Sequence, residues 1–182
     1  MFAKIYALPI STMLCLAIFG TALWLLSGLC AKNGLIKFLQ CCILGVTLYI
    51  LLAATLFRAP CSERRISLIP FISFVRAKEQ PEIYRSLLLN VLMFMAFSLG
   101  LAGLLPQTWK PGCRVLMVIL TGLVLSISLE TLQYFLALGI AETDDVIFNT
   151  LGSALAAGAM LLRDRVVRYG EKLKTKDQKN EP

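Results

Sequence analysis

The sequence predicts an all-α fold, a polytopic bundle of transmembrane helices with five spans. Of the 182 residues, 58% are hydrophobic and 16% are charged, and the mean hydropathy is +0.76. A soluble domain is about half apolar and about a quarter charged. The apolar residues fall into long runs with few charges, and each run is close to the ~20 residues that a spanning helix needs. Five such runs leave no room for a separate soluble domain.

The predicted spans follow the five apolar runs at residues 8–29, 38–57, 87–105, 115–138 and 146–162. The first run is too long for the core of a signal peptide, and no small-residue cleavage site follows it. We therefore expect a retained helix there, with a signal anchor as the weaker alternative. The expected organisation is an N-terminal helix and a first core helix in 1–57, an outer loop and three helices in 58–162, and a basic cytoplasmic tail in 163–182.

The distribution of basic residues predicts the orientation. The 163–182 tail carries seven Lys and Arg residues, which assigns it to the cytoplasm. Five spans then place the N terminus, the acidic turn at 140–145 and the connection at 58–86 outside. That connection carries six basic residues, so its arginines are expected to serve as partners of carboxylates or of an anionic ligand. Its apolar patch, 66–74, is too short to span and either dips into the membrane interface or packs under the helices.

The composition argues against several kinds of site. There are six cysteines and no histidine, and no CxxC pair occurs, so a zinc site of the usual Cys/His type is not expected. The net charge of +7 is confined to loops and the tail, where membrane topology requires it, so we expect no nucleic-acid partner. No catalytic residue, metal ligand or cofactor is predicted.

Glu130 is the most informative single residue for locating a functional site, because it is a carboxylate inside an apolar run. A charge at this depth costs roughly 2.5–3.5 kcal/mol on insertion scales, and such residues usually face the bundle interior and mark function. Helical spacing places Ser126, Glu130 and Gln133 on one face. The alternative is a protonated glutamate, or a hydrogen-bonded clamp that only holds helices together.

The last predicted helix has a second polar face, on which Asp145 and Asn149 are four residues apart. Asp144 is best explained as a helix N-cap, whereas Asp145 fits a cap and a pocket residue about equally well. Three small residues of this helix are expected to serve close helix packing, namely Gly152, Ala156 and Gly158.

The predicted topology brings four separate segments to one outer location. Their polar residues are Arg64 and Arg65, Asn90, Glu130 and Gln133, and Asp145 and Asn149. Carboxylates with arginine and amide partners are what a polar pocket needs, and they are equally what a purely structural network needs.

The residues from about Arg58 to Leu162 resemble the VanZ-like family of small bacterial membrane proteins, whose namesake is associated with low-level resistance to the glycopeptide teicoplanin. Glu130 and Gln133 resemble the E-x-x-Q motif of the family, and the residues from Asp145 to Gly152 resemble its D-x-x-x-N-T-x-G motif. The segment RISLIPF, 65–71, resembles a third motif, and Asn90 with Phe94 resembles a fourth. Departures include Gly139, where the family often has an arginine between the two polar faces.

The resemblance implies a multi-pass protein of the bacterial cytoplasmic membrane but supplies no mechanism. Together with the converging polar segments it leads to the first hypothesis, a non-enzymatic protein whose outer pocket binds an envelope ligand. A glycopeptide, a lipid-linked cell-wall precursor and an anionic lipid are the candidate ligands, and membrane lipids are the remaining partners. Three alternatives stay open. They are a membrane-embedded enzyme using Glu130 and Asp145, a small transporter or proton relay dependent on Glu130, and an accessory subunit whose polar groups serve helix association alone.

Overall fold

The computed structural model describes residues 18, 20–25, 34–56 and 61–180, with only the backbone of 171 and 173–180. The expected first span, 8–29, lies outside these residues, apart from positions 18 and 20–25, which are helical. The described elements, in chain order, are α1 (Gly34–Leu56), β1 (Arg65–Ser67), α2 (Ile72–Arg76), α3 (Glu82–Leu104), α4 (Pro111–Phe135), β2 (Ile140–Glu142) and α5 (Thr143–Asn180).

Among the described residues, four helices are long and apolar enough to cross a membrane, and each covers most or all of one of the last four predicted runs. They are α1, α3, α4 and the Thr143–Gly170 part of α5. The prediction of a mostly helical, multi-span protein is therefore confirmed for the described residues. The fifth span stays a prediction.

The helices differ from the apolar runs at their ends. Helix α3 begins at Glu82, five residues before the third run, and α5 continues well past Leu162. A helix can continue beyond the hydrocarbon layer of the membrane. An apolar run therefore marks the part of the helix that lies in the hydrocarbon, and it does not mark where the helix begins and ends. Helix α4 begins with Pro111 in its first turn, where the missing N–H costs no hydrogen bond.

Helix α5 packs against both α3 and α4, and α3 also packs against α1. The contact between α3 and α5 is close at Gly152, where an added Cβ would lie 2.2 Å from the main-chain oxygen of Val91. Large apolar side chains such as Phe38 and Tyr49 of α1 face outward. An apolar exterior of this kind is what hydrocarbon contact requires.

The two short strands form a parallel pair that the all-α prediction did not contain. Ile66 lies opposite Ala141 in the register, and Cys61 N donates to the main-chain oxygen of Ala137 at 2.6 Å. These bonds hold the connection of residues 61–80 against the turn of residues 136–142, and we call this part of the bundle the loop end. The opposite end, where α1 and α4 begin and α5 leaves the bundle, is the tail end. Strands of three residues are too short to be recognised in a sequence by the alternation of apolar and polar residues.

The apolar patch at 66–74 lies at the loop end with most of its large side chains outward. Ile66, Leu68 and Ile69 are each more than half exposed. Phe74 contacts other aromatic rings, with its ring centroid 5.8 Å from that of Phe148 and 6.1 Å from that of Tyr84. The exposed apolar set favours insertion into the membrane interface over packing beneath the helices.

Candidate functional site

The loop end is organised by Asp144, whose side chain is completely buried. Its Oδ1 accepts a hydrogen bond from the main-chain N–H of Phe71, and its Oδ2 accepts one from Ser73 N at 2.8 Å. Phe71 has the left-handed φ of 62° and directly precedes α2. Asp144 therefore satisfies free N–H groups at the start of α2, a helix far away in sequence, whereas the sequence analysis expected it to cap its own helix.

An ion pair between Arg76 and Glu142 lies beside this cap. Arg76 Nη1 is 2.5 Å from Glu142 Oε1, and Ser73 Oγ donates to Glu142 Oε2 at 3.4 Å. The pair is open to the surface, since the Arg76 side chain is 40% exposed and that of Glu142 is 18% exposed. Sequence reasoning had selected neither residue.

Arg64 and Arg65, which the sequence analysis placed in the site, are both exposed. Among the described residues, neither lies within ion-pair distance of a carboxylate, whereas Arg76 reaches Glu142 of the acidic turn. Arg65 takes part through its backbone, which pairs with Ile140 in the strand pair. Glu142 thus has an arginine partner from the same connection, eleven residues further along than Arg65.

Glu130 and Gln133 are buried on the inner face of α4, together with Ser126. Glu130 Oε2 accepts a hydrogen bond of 2.9 Å from the main-chain N–H of Glu142. Glu130 therefore ties the end of α4 to β2, one residue before α5 begins. The Oε1 atom of Gln133 is buried with no hydrogen-bond partner among the described residues.

Asn90 and Asp145, two residues chosen from different segments of the sequence, are in direct contact. Asn90 Nδ2 donates to Asp145 Oδ1 at 2.8 Å, which links α3 to the first turn of α5. A hydrogen bond to an ionised carboxylate is about twice as strong as one between neutral groups. Asp145 is only partly buried, so its carboxylate also faces the space beside the ion pair.

Asn149 belongs to a deeper layer of buried polar side chains. Its Nδ2 donates to Ser126 Oγ at 2.8 Å, and Ser98 Oγ donates to Ser153 Oγ at 2.9 Å. Ser153 also donates to the main-chain oxygen of Asn149 at 3.3 Å. This layer joins α3, α4 and α5 in the interior, which is the arrangement expected of interhelical hydrogen bonds in a membrane.

The three small residues of α5 have different surroundings. Gly152 touches the α3 backbone, and Ala156 is fully buried in the cluster that also contains Val118 and Met160. Gly158 is exposed, and no atom lies within 4 Å of the place where its Cβ would be. The described helices thus leave Gly158 without a packing role.

A cavity of about 450 Å³ opens at the loop end, and we call it the loop-end cavity. Its lining consists of Ser73, Arg76, Gln80, Ile83, Ser86, Leu87, Ile140, Glu142 and Asp145. One guanidinium, two carboxylates, hydroxyls and an amide therefore face a common space. These groups can donate to and accept from hydroxyl and amide groups of a ligand, and the carboxylates can also accept from an ammonium group. Within residues 61–170, no group of three His, Cys, Asp or Glu side chains is placed to hold a metal ion.

A bundle of apolar helices with carboxylates, amides and an ion pair gathered at one end defines a polytopic membrane protein with a polar site at one end of the bundle. A family model described as VanZ/LLP1 matches residues 38–164, a range that includes α3, α4 and most of α1. The chain belongs to the VanZ-like family, as the motifs around Glu130 and Asp145 indicated. Comparison with curated proteins gave no match, and neither did comparison with solved structures.

Proposed function

We propose that this VanZ-like protein binds an envelope ligand in the loop-end cavity, without catalysis, and so contributes to resistance to teicoplanin-type glycopeptides. The observation that carries the proposal is the open cavity with Arg76, Glu142 and Asp145 on its walls. A glycopeptide and a lipid-linked cell-wall precursor both present amides, hydroxyls and charged groups. The cavity offers hydrogen-bond donors and acceptors and both positive and negative charges. Such a lining matches these ligands better than it matches a purely anionic headgroup.

The orientation of the helices supports an external site. Seven basic residues in the 163–182 tail favour a cytoplasmic location for the tail end. The loop end then lies at the outer surface of the membrane, where glycopeptides arrive and where lipid-linked precursors are exposed. The apolar side chains of Ile66, Leu68 and Ile69 would rest in the interface beside the cavity mouth, close to any membrane-anchored ligand.

The ion pair supports a binding role rather than a purely structural one. A partly exposed pair such as Arg76–Glu142 contributes only about 0–1 kcal/mol to stability, because water screens it. Arg76 and Glu142 can therefore give up their contact with each other and bind a ligand instead, at little cost in free energy. The buried Asn149–Ser126 layer has no such access and serves helix association.

The proposal is tested by binding and by susceptibility. The full chain in lipid nanodiscs is titrated with fluorescent teicoplanin and with a lipid-linked wall precursor, comparing wild type with Glu142→Gln and Asp145→Asn. Loss of a charge-assisted hydrogen bond costs about 1.5–3 kcal/mol, so about tenfold weaker binding or more is expected. Glu63→Gln is the matched control, because Glu63 is an exposed acid of the same connection that does not line the cavity.

The same variants are then produced in cells at matched membrane levels, and teicoplanin susceptibility is measured. Greater susceptibility of Glu142→Gln and Asp145→Asn, but not of Glu63→Gln, supports the proposal. Unchanged binding of both probes together with unchanged susceptibility would contradict it.

A further inference from the structure

A second cavity of about 450 Å³ lies at the tail end, far from the polar cluster around Glu130. We call it the tail-end cavity. Its polar walls come from Lys37 and Gln40 of α1, Gln107 after α3, and Arg163 of α5. The rest of the lining is apolar or glycine, and none of the residues that line it is acidic.

Arg163 is a buried cation that forms no ion pair with a carboxylate among the described residues. The residue is 5% exposed, and among the described residues no carboxylate oxygen lies within 4.0 Å of its guanidinium nitrogens. Its Cζ lies 4.6 Å from the centroid of the Trp24 ring, and its Nε has no hydrogen-bond partner within the described residues. Buried charges are normally paired, because leaving water costs more than an aromatic contact returns.

The acidic neighbour of Arg163 in the sequence is already engaged. Asp164 Oδ2 is 2.5 Å from Arg114 Nη1, and both of these side chains are largely buried. Helix geometry turns consecutive side chains about 100° apart, so Asp164 meets α4 while Arg163 faces the cavity. The positive charge of Arg163 is therefore left facing the tail-end cavity.

Gln40 of α1 adds a second buried donor to the lining. It is 3% exposed, and its Nε2 has no hydrogen-bond partner among the described residues. Its amide lies against Gly103, where an added Cβ would come within 2.4 Å of Gln40 Cδ. Lys37 lies three residues earlier on the same face of α1 and is exposed at the cavity mouth.

We propose that the tail-end cavity binds a phosphate group, held by Arg163 and Gln40 inside and by Lys37 at the mouth. The planar guanidinium matches the oxygens of a phosphate, and a buried amide N–H supplies a further donor. The positive-inside rule places this end at the cytoplasmic leaflet, where anionic lipids accumulate and where basic pockets between transmembrane helices bind their headgroups. The phosphate belongs either to an anionic lipid or to a soluble phosphate, and this site is separate from the proposed glycopeptide site.

Retention of anionic lipid is measured by native mass spectrometry of the full chain, released from membranes that contain phosphatidylglycerol and phosphatidylcholine. We expect wild type to retain phosphatidylglycerol selectively, and Arg163→Gln and Lys37→Gln each to retain about fivefold less. Arg165→Gln is the matched control, because it removes an equal charge from an exposed position of the same helix that does not line the cavity.

Inorganic phosphate separates the two sources. In lipid-free detergent, a rise in the thermal unfolding midpoint with phosphate, seen in wild type and absent in Arg163→Gln, identifies a soluble phosphate. Phosphatidylglycerol retention that depends on Arg163 and Lys37, without this rise, identifies a lipid headgroup.

The proposal is overturned if wild type and both variants retain phosphatidylglycerol equally and phosphate gives no rise that depends on Arg163. If Arg163→Gln fails to fold, Lys37→Gln decides, since its side chain is exposed and its loss leaves the helices intact. Lipid retention and phosphate response that are both unchanged in Lys37→Gln then overturn the proposal.

Discussion

The main-chain N–H of Ser73 donates a 2.8 Å hydrogen bond to the completely buried carboxylate of Asp144. The two residues are 71 positions apart, and they join α2 to the first turn of α5. The bond from Phe71 to the same carboxylate makes the contact bidentate. This one side chain therefore fixes the wall of the loop-end cavity that carries Ser73 and Arg76 against the wall that carries Glu142 and Asp145.

Asp144→Ala is expected to lower the free energy of unfolding by about 1–3 kcal/mol, because it leaves two N–H groups without their acceptor. Asp144→Asn retains one oxygen acceptor and should have an intermediate effect. The measurement is denaturant unfolding in detergent, with limited proteolysis to detect release of residues 61–80. Glu79→Ala, which removes an exposed acid of the same segment, should match wild type. Equal stability of Asp144→Ala and wild type would show that the cap contributes nothing.

Gly152 and Gly158 lie on the same helix but should respond oppositely to alanine. In Gly152→Ala the new Cβ meets the main-chain oxygen of Val91 at 2.2 Å, so α3 and α5 must separate. We expect a loss of about 1–3 kcal/mol in the free energy of unfolding. Gly158→Ala meets open space and should leave stability unchanged or raise it by up to about 1 kcal/mol, the helix-propensity difference. If both variants unfold alike, the described packing of α3 on α5 is wrong.

The sequence predicted the parts of this fold that leave a pattern over many residues. Apolar runs near 20 residues located α1, α3, α4 and α5, and helical spacing placed Ser126, Glu130 and Gln133 on one face, which the structure buries. Predicted helix directions placed Asn90 and Asp145 at one location, where the structure joins them by a hydrogen bond that the sequence did not specify.

The partners of the carboxylates could not be predicted in the same way. Six basic residues occupy the 58–86 connection, and the selection of Arg76 depends on the path of β1 and α2, which are too short to leave a periodic pattern. One partner of Glu130 is the main-chain N–H of Glu142, and Asp144 also binds backbone N–H groups. Every non-proline residue carries such a group, so residue identity does not mark which one is used.

Gly139 stands where the family motif often has an arginine, and it has a φ of 139°. Residues with a side chain rarely adopt this backbone conformation, so Gly139→Arg should lower the free energy of unfolding by about 1–3 kcal/mol through strain. Denaturant unfolding in detergent measures the change. Gly112→Ala is the control, because Gly112 lies in the first turn of α4 with open space around its Cβ position. Wild-type stability of Gly139→Arg would mean that the turn readily adopts another conformation.

Two native cysteines report which end of the bundle faces outward. Cys61 is exposed at the loop end, and Cys113 is exposed in the first turn of α4 at the tail end. In single-cysteine variants on intact cells, a membrane-impermeant maleimide should label Cys61 and not Cys113, because the basic tail favours a cytoplasmic tail end. Permeabilised cells should label both. A variant retaining only Cys42, exposed within the apolar α1, should resist labelling until detergent is added. The reverse pattern, with Cys113 labelled on intact cells, would put the loop-end cavity in the cytoplasm and remove it from the reach of any extracellular glycopeptide.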